Sequence, residues 1–301
     1  NHASSEDMDM EALSHFDAAI AADPQFAAAH AARARSLTLI GSMYGDIMET
    51  RANYDAALIS ARRAVSLAPK YAEAQSTLGF VLSQAQLNIE AARAPFEQAR
   101  KLGDGDASVL ARVAQFAAQT GRRDEARAAI DRAVTLDPLN PLMLKTSGLI
   151  AYWSGDFSGA VAALQRALTL EAGLSAAYGA LGDALYMLNR PADALAAYTR
   201  ETSPLLKETG LAIVNFKLGK RQEANASRAR IIAGLGTGQV TDYQQAQIAA
   251  QRGELDAAIA ALRSARTAGD SGLVTMMADP MLAPLHGQQG FTDMLKALKF
   301  L

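Results

Sequence analysis

The chain has 301 residues, half of them apolar but only 6% aromatic, with a formal net charge of −2. Lys and Arg are dispersed along it, so it lacks the electrostatic footprint of a phosphate-backbone binder, and no direct nucleic-acid contact is expected. It has no cysteine, which excludes disulfides, thiolate catalysis and Cys-based zinc sites. No apolar run reaches the roughly 18 residues of a membrane span, so no membrane contact is expected from this segment.

The abundance of alanine points to close-packed helices and an all-α class. A polar lead, residues 1–8, is expected to be disordered; it lacks a signal-peptide core, and a start at Asn1 suggests a fragment or processed product. Residues 9–22 predict a lone second helix, with Ala12, Phe16 and Ala19 on one face and Asp23-Pro24 ending it. A first helix runs from Gln25 to about Leu39. The next second-helix stripe (Ala57, Ala61, Ala64, then Pro69) arrives late, leaving extra residues around 40–54 as a loop or a helix extension.

Further pairs are predicted at 71–86 with 89–102, and then in two units of identical spacing. Gly121, Ala126 and Ala133 return 34 residues later as Gly155, Ala160 and Ala167. Asn140 is a natural N-cap, Pro141 suits the first helical position, and Gly155 suits a left-handed stop. Glycine in mid-helix costs about 1 kcal/mol relative to alanine, so Gly79, Gly148 and Gly182 in the first helices predict close approach of paired helices. Stops at Asn189, Gly219 and Gly253 mark one shortened unit before the phase recovers in a final pair, 239–252 with 254–268. After Gly269 the pattern ends in a turn-rich piece and a closing helix containing Phe291, Leu295 and Leu298, a cap for the last apolar face.

The 34-residue period, the small residue in the first helix and the Ala-x3-large-x2-Ala second helix (Ala126, Ile130, Ala133, then Pro138) together resemble the tetratricopeptide repeat. The resemblance implies a right-handed superhelix of about seven helical pairs with a C-terminal capping helix: one solenoid with repeats over 9–268 and a cap over 269–301. The chain departs from the pattern early in each first helix, where His30, Gln75, Leu110, Leu144 and Tyr178 stand instead of a consistent Tyr or Trp.

The end of the chain is similar to the tail of long bacterial arrays of this family: Thr241-Asp242-Tyr243, then Gly253-Glu254-Leu255-Asp256, Asp279-Pro280 and Phe291-x3-Leu295. Such arrays follow winged-helix, adenylate cyclase or kinase domains, often with a membrane span between. That resemblance implies the C-terminal regulatory part of a bacterial signalling or transcription-regulatory protein, cytoplasmic or periplasmic.

No constellation argues for an enzyme, a metal or a cofactor. The four histidines form no i, i+4 pair and show no acidic partner at ligand spacing. Asp104-Gly105-Asp106 starts like a calcium loop but lacks its turn glycine and bidentate Glu, so Asp106 reads as a cap. Gly234, Gly236 and Gly238 read as a joint, and no base is placed to activate Ser271 within Gly269-Asp270-Ser271-Gly272.

What remains is the concave face, which the resemblance places on the exposed side of the first helices. On this register a partner-binding groove comprises Arg35, Phe80, Gln84, Gln115, Gln119, Lys145, Tyr152, Asp183, Tyr186, Phe216, Tyr243 and Gln247. Aromatic rings there supply apolar area and glutamines supply hydrogen bonds for an extended peptide or helix. Family members that grip chaperone C-termini use a Lys and Asn clamp. Lys145 alone does not make one, because Gln115 and Leu149 stand where Asn would be needed. The expected partner is a protein or peptide. The alternative is a free-standing scaffold that self-associates, for instance as a homodimer, through its unpaired N-terminal helix.

Overall fold

The computed structural model describes residues 5–43, 47–235 and 241–301, which form helices and no strand. After α1 (Ser5–Ala22) come seven helical pairs: α2 (Ala27–Met43) with α3 (Ile47–Leu67), α4 (Ala72–Gln84) with α5 (Ile89–Leu102), α6 (Ala107–Gln119) with α7 (Arg123–Leu136), and α8 (Pro141–Trp153) with α9 (Phe157–Leu170). Then follow α10 (Ala177–Met187) with α11 (Pro191–Arg200), α12 (Pro204–Lys217) with α13 (Arg221–Leu235), and α14 (Asp242–Gln251) with α15 (Leu255–Ala268). Each first helix also packs on the first helix of the next pair, so the array is continuous.

Local chemistry sets the boundaries. Asn88, Asp106, Asn140 and Asp156 each accept hydrogen bonds from backbone amides in the first turn of the helix they precede. First helices stop on left-handed residues: Gly121, Gly155, Gly219 and Gly253 at φ 76–85°. Asn189, at φ 56°, takes the same role with a side chain that tolerates it. The second-helix stripes are buried, including Ala126, Ile130 and Ala133 and their counterparts Ala160, Leu164 and Ala167. A Cβ on Gly79 would meet Phe96 at 2.7 Å, one on Gly148 would meet Leu164 at 2.6 Å, and one on Gly182 would meet Tyr198 at 2.5 Å. The large residue of each second helix therefore sits against the bare backbone of its first helix.

One stretch differs from the sequence expectation, and at another the structure decides between a loop and a helix extension. Residues 5–8, assigned to the polar lead, belong to α1, which packs on α2 as a second helix would. The extra residues near 40–54 lengthen both helices of the hairpin: α2 runs to Met43, α3 begins at Ile47, Thr50 donates to the Gly41 carbonyl at 2.7 Å, and Tyr54 packs against Gly41. Tyr44 and Gly45 lie outside the described residues, as do Gly236 and Gly238 of the supposed joint; Gly234 is within α13.

Beyond α15 the chain makes two 3-10 turns, Ser271–Thr275 and Pro280–Leu285, and ends in α16 (Gln289–Ala297). Helix α16 packs on α15, burying Phe291 and Met294. The turns do something else. Leu273, Met276, Leu282 and Leu285 are completely buried in one apolar cluster with Leu82, Phe96, Val113 and Phe116 from the N-terminal pairs. Met281 joins Ala212, Ile213 and Ile248, and Ala278 packs on the cluster formed by α6 to α12. The non-repeating segment thus lies inside the superhelix, touching first helices from α4 to α14.

Candidate functional site: the concave face

The first helices present the inner surface, and a recurrent position six residues before each stop aims into it: Gln115, Leu149, Asp183, Ile213 and Gln247. At the C-terminal half this surface is occupied by residues 270–285. Asp279, 4% exposed, is the centre of the contact. Its carboxylate accepts from Tyr243 Oη at 2.8 Å, Gln247 Nε2 at 2.7 Å, Tyr152 Oη at 3.4 Å and the Met281 amide at 2.9 Å. Gln251 donates to the Met281 carbonyl at 2.6 Å and accepts from Tyr186 at 3.0 Å. Asp270 takes the amides of Tyr243 and Gly272.

The structure therefore places Tyr152, Tyr186, Tyr243 and Gln247 together, in contact with or adjacent to a polypeptide segment that belongs to the chain itself. Tyr152 and Tyr243 are buried, as is Gln119. The remaining groove residues are half-buried. Arg35 pairs with Glu73, which also holds Arg112 of α6. Lys145 donates to the Ser175 carbonyl at 3.1 Å, with burial lowering its pKa. Phe216 lies beneath the guanidinium groups of Arg221 and Arg252, at 3.8 and 5.0 Å. Phe80 packs at the edge of the cluster shared with the C-terminal turns. The side-chain amides of Gln84 and Gln115 make no hydrogen bond among the described residues.

Burial dominates the electrostatics. It raises the Asp183 carboxyl to about 7, opposed by the hydrogen bond from Tyr198 Oη at 2.7 Å, and it raises Asp270 to about 6 and Asp279 upward as well. Tyr152, Tyr198 and Tyr243 are all pushed well above the usual phenol value by burial and then by nearby carboxylates.

Sequence reasoning missed Asp279, Gln251, Thr275 and Met281. A signal was present: residues 273–285 carry Leu273, Val274, Met276, Met281, Leu282 and Leu285, too apolar for an exposed turn. His15 lies 3.9 Å from Glu11, one helical turn away, so the expectation that no histidine has an acidic partner at ligand spacing fails there; both side chains are exposed. Among the described residues no three His, Cys, Asp or Glu converge to hold a metal, and no helix is long and apolar enough to cross a membrane. Asp106 caps α6 through the amides of Ser108 and Val109.

Residues 83–141 and 146–204 match the family model of the tetratricopeptide repeat. No curated protein is a significant match to the chain. Among solved structures it is similar to PilW, a widely conserved type IV pilus biogenesis factor, at 20% identity over 67% of this chain and 94% of that one, with a TM-score of 0.52. It is also similar to human IFIT1, solved as a dimer with m7Gppp-AAAA, at 14% identity over 86% of this chain and 68% of that one, with a TM-score of 0.58. At these identities the likeness is one of fold. Seven stacked pairs, the buried Ala-x3-large-x2-Ala stripe and the matched repeats lead to one conclusion: residues 83–141 and 146–204 are tetratricopeptide repeats, and the chain has the fold of a tetratricopeptide-repeat solenoid.

Proposed function

We propose that this protein is a non-catalytic interaction module that takes a peptide or protein partner on the N-terminal part of its concave face. The observation that carries the reading is a pair of repeat-equivalent glutamines. Gln247, six residues before Gly253, spends its amide on Asp279 of the closing segment. Gln115, six residues before Gly121, is half-buried with its amide unpaired, and Gln84 on the neighbouring first helix is in the same state. Polar groups of this kind beside Phe80 suit a partner that brings carbonyl or carboxylate acceptors and apolar side chains. Peptides selected from a display library against the intact chain test this. Selected peptides should lose about tenfold in affinity on Gln115→Leu or Phe80→Ala, roughly 1.4 kcal/mol. Peptides indifferent to Phe80→Ala, Gln84→Ala and Gln115→Leu would place docking elsewhere.

The likeness of the tail to bacterial regulatory arrays supports a finer reading, in which the chain is the regulatory or sensory end of a signalling or transcription-regulatory protein. The encoding frame upstream of Asn1 decides it: a winged-helix, cyclase or kinase domain supports this reading, and a plain start codon or secretory signal supports a free-standing adaptor. Self-association through α1 is the second reading, favoured by Met8 and Met10, which are 57% and 50% exposed. A dimer in sedimentation that is lost on deleting residues 1–23 supports it, and a monomeric intact chain refutes it.

A further inference from the structure

Between residues 272–281 and the first helices α8, α10, α12 and α14 lies a cavity of ≈230 Å³. Small residues are part of its lining, among them Gly179, Ala180, Gly210 and Gly272. Leu149, Ile213 and Met281 make an apolar wall, the rings of Tyr152 and Tyr243 a second, and Asp183, Gln244 and Asp279 a polar end.

The polar end is out of balance. Two carboxylates face the cavity, and its lining contains no Lys, Arg or His. Three of its donors are already committed to one carboxylate: Tyr152, Tyr243 and Gln247 all donate to Asp279. Asp183 receives only the Tyr198 hydroxyl, on Oδ1, which leaves Oδ2 free. Gln244 Oε1 is shielded from solvent and has no partner. A buried acceptor without a donor costs about 1–3 kcal/mol, and an uncompensated buried charge costs more. Water could meet the first deficit, and protonation relieves the second only at lower pH; with Asp183 ionised, a cation in the cavity balances its charge. A metal ion fits poorly, since no group of three acidic or imidazole ligands converges among the described residues. The apolar and aromatic walls instead match the carbon skeleton of an organic cation, whose charge the tyrosine faces also favour. The volume lies below the range of about 300–1,000 Å³ typical of drug-sized ligands, so the occupant is small.

We propose that this cavity is a binding site for a small organic cation, a primary ammonium or guanidinium, ion-paired with Asp183, with Gln244 lining the same polar end. The site is separate from the peptide-docking surface proposed above and would regulate the array from inside, because its walls join four repeats to the closing segment. Titration points the same way. The groups facing Asp183 are Tyr198 on α11, Tyr152 on α8, Tyr243 on α14, and the carboxylates of Asp279 and Glu201; burial and these carboxylates hold the Asp183 carboxyl at about 7. A bound cation holds it ionised, so affinity rises from pH 6 to pH 8.

Isothermal titration of the intact chain with benzylamine and with agmatine tests the proposal, with benzyl alcohol as the neutral counterpart. At least one of the two cations should bind with a sub-millimolar Kd that tightens towards pH 8. Asp183→Asn, which preserves the Tyr198 contact and the side-chain shape, should weaken that binding about tenfold or more. Gln244→Leu should weaken it several-fold and serves if Asp183→Asn folds poorly. The proposal is overturned if neither cation binds, if benzyl alcohol binds equally well, if both substitutions leave affinity unchanged, or if a crystal at saturating amine holds only water in the cavity.

Discussion

Tyr198 makes a sharp test of the packing argument because two glycines on consecutive first helices approach the same edge of its ring. A Cβ on Gly182 of α10 would lie 2.5 Å from Cε1, and one on Gly210 of α12 would lie 2.1 Å from Cδ1. The substitution Gly210→Ala sets two effects of opposite sign against each other. Helix propensity favours alanine by about 1 kcal/mol. Overpacking costs about 1–3 kcal/mol, and an overlap this close belongs at the upper end. The ring has nowhere to retreat, since it is 1% exposed and its hydroxyl is tied to Asp183 at 2.7 Å. Taking about 3 against about 1 leaves a net loss of about 2 kcal/mol. Urea denaturation followed by circular dichroism reads it as a lower midpoint at unchanged slope. Adding Tyr198→Leu to Gly210→Ala should recover part of the loss in a double-mutant cycle. Gly105→Ala is the control, because nothing lies within 4 Å of its Cβ, and its effect should stay within about 0.5 kcal/mol. A Gly210→Ala chain as stable as the parent, or a loss untouched by Tyr198→Leu, refutes the reasoning.

Asp279→Ala orphans Tyr243 Oη, Gln247 Nε2 and the Met281 amide at about 1–3 kcal/mol each, partly offset by no longer burying a carboxylate. Hydrogen exchange across residues 271–285 should accelerate by an amount equivalent to about 3 kcal/mol, and unchanged protection would contradict the contact. Glu73→Ala leaves the buried Arg112 guanidinium without its carboxylate and frees Arg35, for a loss of about 3 kcal/mol in urea denaturation; no loss would mean that the triad is not holding α2, α4 and α6 together. The pH dependence follows from the raised carboxyls. Asp183 moves from 3.8 to about 7, so the folded chain binds that proton more tightly than the unfolded chain, and the stability it contributes falls as pH rises from about 4 to 7, then levels off. Asp183→Asn should therefore gain in Tm relative to the parent between pH 5 and pH 8. A constant difference would show that Asp183 titrates normally.

The repeat was legible because its signals are local. Asn140, Pro141 and Gly155 bound their helices through their own backbone chemistry, and the stripe of Ala126, Ile130 and Ala133 recurs at a period that only stacked pairs satisfy. The close approach at Gly79, Gly148 and Gly182 was equally readable, since a glycine in mid-helix needs a neighbour to offset its cost. The lengthened α2–α3 hairpin was readable only as an excess of residues, which a loop or a longer helix accommodates equally well.

The sequence by itself determined the helical pairs, their caps and stops, and which side chains the inner face offers, because each depends on contacts within one unit or between neighbours. Only the tertiary structure decided what that face touches. Residues 270–285 carry no period, so nothing local directs them to the axis. Their burial depends on long-range contacts, such as Tyr152 with Asp279, 127 residues apart, that appear once the superhelix has wound and left an apolar interior to fill. The cavity beside Asp183 arises from that same closure: it is the space left where a non-repeating segment meets repeating helices without matching their shape.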